Sequence, residues 1–140
     1  MCGIVFSASR KEASTFIQAA HSAQSHRGPD GGATYSETVN GVVLGFAHER
    51  LSIVDLSSLG AQPMESRSKK SVIIFNGEIY NHRELAQRFS IGPLRSTSDT
   101  EVILELIEKI GLQEACAHFN GMWTIIFLDR EAGRVTLSRD

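Results

Sequence analysis

Met1-Cys2-Gly3-Ile4-Val5-Phe6 puts a thiol directly behind the initiator methionine, then a glycine and three apolar residues. Ile4, Val5 and Phe6 read as the start of a buried strand, and a strand would hold Cys2 in a fixed place. Removal of Met1 would make Cys2 the amino terminus, with a thiol and an α-amine on one residue. A free α-amine accepts a proton near neutral pH and a deprotonated thiol attacks carbonyl carbons, so one residue would supply nucleophile and base. A small residue tolerated after the initiator would look the same. The rest of the chain has to decide between the two.

The 140 residues carry 14 basic and 16 acidic side chains, a net charge of -2. That length is one domain, long enough to bury a core. The charge balance argues against a general nucleic-acid binder, which would normally show a basic face. Cys2 and Cys116 make neither a disulfide framework nor a zinc site, and Cys116, between Ala115 and Ala117, is expected to pack. There is no apolar run of spanning length and no charged-then-apolar leader. The expectation is a cytoplasmic protein without a membrane partner, in a reducing compartment that suits a free thiol.

Helical spacing of Phe16, Ala19, Ala20 and Ala23 predicts an amphipathic helix over residues 12–25. The run His26-Arg27-Gly28-Pro29-Asp30-Gly31-Gly32 is rich in helix breakers and turn formers. Alternating Val42, Leu44 and Phe46 predict a strand over 42–48; residues 51–60 are mixed and 60–64 a loop. The β-branched run 72–75 predicts a central strand, with Asn76-Gly77-Glu78 as a turn behind it. Within 80–89, Leu85 and Phe89 share a helical face. Ser98-Asp99-Thr100-Glu101 has the pattern of a capping box and opens a helix with the stripe Val102, Ile103, Leu106, Ile107 and Ile110, ending at Gly111. Residues 115–119 add a helical turn, and 123–128 with 134–138 read as a hairpin. The sum is an α+β domain with mainly antiparallel pairing.

Acyl transfer needs donors aimed at the oxygen that becomes negative. Asn76 and Gly77, a side-chain amide beside a glycine N–H, suit that task, although an ordinary Asn-Gly turn has the same sequence. An amino-acid substrate needs a cation for its carboxylate and an anion for its ammonium. Arg50 supplies the first through a bidentate fork, Asp99 and Glu78 the second. A solvated strand-end arginine, or an acid in a helix's first turn, reads alike. His26, His48 and His82 are scattered and are assigned structural or surface roles, with no metal site and no phosphate loop.

Six stretches follow in order: Cys2-Gly3-Ile4-Val5; Arg27-Gly28-Pro29-Asp30-Gly31; His48-Glu49-Arg50-Leu51-Ser52-Ile53-Val54-Asp55; Gly60-Ala61-Gln62-Pro63-Met64; Phe75-Asn76-Gly77-Glu78-Ile79-Tyr80-Asn81; and Ser98-Asp99-Thr100-Glu101-Val102-Ile103. Together they resemble the glutaminase domain of the glutamine-hydrolysing asparagine synthetase family, a class II glutamine amidotransferase with an N-terminal cysteine nucleophile. The resemblance implies an N-terminal-nucleophile hydrolase fold: stacked antiparallel β-sheets flanked by helices in an αββα order. It implies that residues 1–140 are the N-terminal portion of a single type-2 amidotransferase domain, incomplete at the C-terminus and without the synthetase domain.

By the same resemblance, Cys2 attacks the side-chain amide of L-glutamine once Met1 is gone. Asn76 and Gly77 form the oxyanion hole, Arg50 holds the α-carboxylate, Glu78 and Asp99 hold the α-ammonium, and backbone around Ile53 and Val54 lines the pocket. Water resolves the thioester to L-glutamate, and ammonia passes to an ATP-dependent amidation of a carboxylate, aspartate by default. The glutaminase part itself takes no cofactor and no metal; ATP and Mg belong to the synthetase domain. The implied partners are L-glutamine, a synthetase domain in cis or in trans, and a second copy in a homodimer. Two other classes stay open beside the enzyme: a non-catalytic remnant that keeps the pocket, and an interaction module whose exposed edge pairs with another subunit.

Overall fold

The computed structural model describes residues 2–10, 14–52 and 54–140. Among them β1 (Gly3–Ser9), β2 (Gly31–Val39) and β3 (Val42–Arg50) make a sheet in the order β1-β3-β2. A second sheet runs β4 (Met64–Glu65), β5 (Ser71–Ile79), β6 (Gly121–Asp129) and β7 (Arg134–Arg139), in that order. All ladders in both sheets are antiparallel. The helices are α1 (Ser14–Ala23), α2 (His82–Arg88), α3 (Asp99–Ile110) and α4 (Leu112–His118).

Two-residue periodicity places each strand's side chains on opposite faces. Leu44 and Phe46 of β3, Val72 and Ile74 of β5, and Ile126 and Leu128 of β6 meet between the sheets, joined by Ile4 and Phe6 of β1. The alternate residues Ile73, Phe75, Ile125 and Phe127 turn to the outer side and pack on Leu85, Val102, Ile103, Leu106 and Ile107 of the helices. Helix α1 lies against β1, β2 and β3, with Ile17 buried. The layers are therefore helix, sheet, sheet, helices. Each fully buried aliphatic or Phe side chain contributes roughly 1.5–3 kcal/mol, so these two cores dominate stability. No helix among the described residues is long and apolar enough to cross a membrane.

Several local expectations change. Positions 12 and 13 of the first helix lie outside the described residues. From Ser14 on, its inward face is Ile17, Ala20 and His21, continued by Gln24 just past its end, while Phe16 is 59% exposed. The i, i+3, i+4, i+7 stripe is thus one residue out of phase with the one that Phe16 suggests. Strand β2 replaces part of the expected breaker-rich turn; it is an edge strand, mostly exposed, and its hairpin to β3 closes at Asn40-Gly41, both at positive φ. Asn76-Gly77 is no turn. It lies inside β5, which continues to Ile79 with Gly77 opposite Trp123.

The capping box is half realised. Ser98 Oγ accepts from Thr100 N at 3.1 Å, but Glu101 does not reach back to Ser98. Its carboxylate instead accepts from the Arg95 and Ser96 backbone N–H groups, the Arg95 side chain and the Ser96 hydroxyl. Against the push of burial, these partners hold the Glu101 carboxyl below its ordinary value. They shape the loop that delivers Asp99.

Candidate active site

Alternation also decides where the candidate residues point. Cys2 has the parity of Ile4 and Phe6, His48 and Arg50 that of Leu44 and Phe46, and Asn76 and Glu78 that of Val72 and Ile74. All five aim into the gap between the sheets, at the end where β1 begins and β3 and β5 finish. A cavity of about 150 Å³ lies there, lined by Cys2, Arg50, Val54, Asn76, Gly77, Glu78 and Asp99. Every sequence-predicted site residue that the structure describes is on its wall; Ile53 lies outside the described residues.

Cys2 stands one position before the pair Gly3–Glu49. Its sulfur is placed against Leu51, whose N–H donates to Sγ at 3.4 Å, and its carbonyl accepts from Arg27 Nη2 at 3.5 Å. Asp30 braces the same corner: its N–H donates to the Arg50 carbonyl and its Oδ2 accepts from Ser52 N at 2.7 Å. The Arg27–Asp30 turn thus wraps the end of β3 and fixes both Cys2 and Arg50.

Across the gap, the edge of β5 is arranged residue by residue. Strand β4 pairs with Val72 and Ile73 and then ends. Beyond it Phe75 N donates to Gln62 Oε1 at 2.6 Å, and Ile79 N donates to Asp99 Oδ2 at 3.0 Å. N–H groups two apart on a strand point the same way, so that of Gly77 faces this edge between Gln62 and Asp99. On its other side β6 comes so close that a Cβ at Gly77 would collide with the Met122 carbonyl oxygen. Only glycine fits there. The Asn76 side chain supplies a second amide beside it, with a buried Oδ1 that has no hydrogen-bond partner.

Asp99 starts α3 and is 6% exposed. Burial pushes its carboxyl above the usual aspartate value and Glu78 adds to the push, while the Ile79 and Thr100 N–H groups and His82 oppose it. Arg50 is held by its own loop: Nη2 donates to the Asp55 carbonyl and Nη1 to the Ser57 carbonyl, the latter at 2.6 Å. A guanidinium has five N–H donors, so a carboxylate can still be gripped.

Among the lining residues that were not singled out as functional from the sequence, His48, Gln62 and Asp55 shape the site most. Burial holds the His48 imidazole down at about 4, helped by Arg50 and His21 and opposed by the Phe75 backbone. That backbone is nonetheless outside hydrogen-bonding geometry, and both ring nitrogens are unpartnered. His48 is therefore a neutral group on the cavity wall, not a surface residue. Gln62 joins Phe75 to Thr100 Oγ1, which accepts from its Nε2 at 3.2 Å. Asp55 ties two loops together. Their one sequence signal is that each falls inside a stretch that carries the family resemblance. Among the described residues no group of three His, Cys, Asp or Glu side chains is placed to hold a metal ion.

Residues 1–140 match the glutamine amidotransferase domain family along their whole length. The chain belongs to that family. This amidotransferase domain is 39% identical over 116 residues to asparagine synthetase B [glutamine-hydrolyzing] of Escherichia coli, covering 82% of the chain and 20% of that protein. It is 35% identical over 146 residues to asparagine synthetase [glutamine-hydrolyzing] 2 of Bacillus subtilis, covering all of the chain and 19% of the relative. With asparagine synthetase [glutamine-hydrolyzing] 1 of Arabidopsis thaliana the identity is 36% over 115 residues, 82% of the chain and 19% of the relative. The chain spans between 19% and 30% of the length of the curated relatives it matches. The α+β architecture, with two stacked antiparallel sheets between helical layers, agrees with the N-terminal-nucleophile hydrolase fold expected from the sequence.

Proposed function

We propose that this domain hydrolyses L-glutamine to L-glutamate and ammonia through a thioester on Cys2. The observation that carries the reading is convergence: Cys2, Arg50, the Asn76–Glu78 stretch and Asp99, from four separate parts of the chain, line one cavity. A nucleophile faces two amide donors, with a cation and two carboxylates beside them. That set matches an amino acid with a side-chain amide.

Once Met1 is cleaved, the Cys2 α-amine takes the thiol proton and sulfur attacks the glutamine side-chain carbonyl carbon. The oxygen becomes negative and is met by the Asn76 side-chain amide and the Gly77 N–H. The C–N bond breaks, the α-amine's proton leaves with ammonia, and a glutamyl thioester remains. Water, deprotonated by the same amine, adds to the thioester, and the thiol is released with L-glutamate. Arg50 grips the α-carboxylate; Asp99 and Glu78 grip the α-ammonium. The relatives' names, glutamine-hydrolysing asparagine synthetases, support a synthetase domain, in cis or in trans, as the receiver of ammonia; an ATP-dependent amidation of a carboxylate there is part of the same proposal.

The test is intact mass after exposure to an amino-acid-bearing diazoketone analogue of glutamine. A chain lacking Met1 with one label at Cys2, protected by excess glutamine, is the expected product. A folded, Met1-free chain that stays unlabelled would sink the reading.

A further inference from the structure

Asp55 lies in a loop beside the cavity and makes more directed contacts than a loop aspartate needs. Its Oδ1 accepts from Ser57 N at 2.7 Å and from Ser57 Oγ at 2.6 Å. Its Oδ2 reaches across the chain to Thr97, accepting from N at 2.8 Å and from Oγ1 at 3.0 Å. The residue is 7% exposed. The Ser57 hydroxyl and the Thr97 N–H are the leading causes that hold its carboxyl down at about 2, so Asp55 is anionic at neutral pH.

Each contact leads to one end of the substrate site. The Asp55 carbonyl accepts from Arg50 Nη2, and the Ser57 carbonyl, in a residue fixed by Asp55 Oδ1, accepts from Arg50 Nη1. Gly60 closes the other side: a Cβ there would lie 2.6 Å from Arg50 Nη2 and 3.2 Å from Asp55 Cβ. Thr97, in turn, precedes the cap residue Ser98 and the first helical residue Asp99. We infer that Asp55 is a positioning residue that sets the spacing between Arg50 and Asp99, and so selects substrates bearing a free α-amino-acid head. The inference rests on the glutamine reading above and adds how its head group is measured. A carboxylate and an ammonium on one carbon need their receivers at one separation, and a misplacement of about 1 Å at such a site costs roughly 100-fold.

Two reagents for the Cys2 thiol separate positioning from mere loop stability. The amino-acid-bearing diazoketone needs both Arg50 and Asp99, whereas iodoacetamide needs neither. Labelling is followed at the Cys2 peptide by mass spectrometry. For Asp55→Asn the expected result is a half-saturating diazoketone concentration raised about tenfold or more, the loss typical of a charge-assisted hydrogen bond. The limiting labelling rate and the iodoacetamide rate should stay at the parent's values. An unchanged half-saturating concentration, or parallel slowing with both reagents, overturns the inference. If Asp55→Asn loses its native fold by near-ultraviolet circular dichroism, Thr97→Val decides. It removes only the Thr97 Oγ1 bond, and a rise of about threefold in the same concentration is expected; no rise overturns the inference. A parent chain that iodoacetamide labels but the diazoketone does not saturate would remove the glutamine reading and this inference together. A saturable parent with an indifferent Asp55→Asn removes the inference alone.

Discussion

Gln62 replaces a missing strand beside Phe75: its Oε1 accepts the Phe75 N–H at 2.6 Å just where β4 has ended. Its Nε2 donates to Thr100 Oγ1 at 3.2 Å, so one buried side chain joins β5 to the first turn of α3. Gln62→Leu keeps the volume and deletes both bonds, leaving the Phe75 N–H buried without a partner. The expected cost is about 1–3 kcal/mol. A lower urea midpoint with an unchanged slope would register it; an unchanged midpoint would mean that water or a neighbour takes over the N–H.

Asn76 and Gly77 offer their amides from adjacent positions on one strand. Asn76→Ala should lower kcat for glutamine hydrolysis by roughly 10²–10³ and leave KM near the parent value, because the lost donor acts on the developing oxyanion. Steady-state glutamate release measures both constants. A raised KM with unchanged kcat would make Asn76 a ground-state binding residue. Cys2→Ala, which has no nucleophile, should show no turnover at all.

Asp99 gives the site a pH dependence of known sign. Its carboxyl is raised from 3.8 by burial, so on acidification it takes a proton earlier than an exposed aspartate would. Protonation removes one of the two carboxylates that hold the substrate ammonium, the buried one. KM for glutamine should therefore climb as pH falls through a value above the ordinary aspartate range, while Asp99→Asn should show a high KM with that step gone. A KM profile of the same shape in parent and variant would assign the acid limb to another group.

The elements legible in the sequence were those that local pattern fully determines. The run 72–75 and the stripe Val102, Ile103, Leu106 and Ile107 are apolar because they face the cores, and they fold as their periods say. Strand β2 was missed because an exposed edge strand has no need of an apolar face; its best signal was the Asn40-Gly41 turn behind it. Phe16 misled the phase of α1 since a large exposed aromatic outweighs the smaller Ile17 that is actually buried. Asn-Gly reads as a turn anywhere, and only the approach of Met122 from 45 positions further on makes Gly77 a strand residue. For Asp55 and Gln62 the bonds that tie separate elements together, to Thr97 and Thr100, reach 42 and 38 residues away. No local pattern encodes such bonds.

His48 should make the fold itself acid-sensitive. The ring is 1% exposed, and burial holds it at about 4 against an ordinary 6.5. Between those values the unfolded chain binds a proton on His48 and the folded chain does not, so acidification favours unfolding. The contribution is fully present above about 6.5, shrinks as pH falls, and levels off below about 4. Its size over that window is on the order of 3 kcal/mol. His48→Gln removes the titration while keeping a polar group on the cavity wall. Unfolding free energies of parent and variant, measured by urea from about pH 7.5 to about 4.5, should diverge in slope, with the parent losing more. Carboxylates common to both proteins cancel in that difference. Curves that fall in parallel would place the acid-sensitive group elsewhere and make His48 an inert part of the wall.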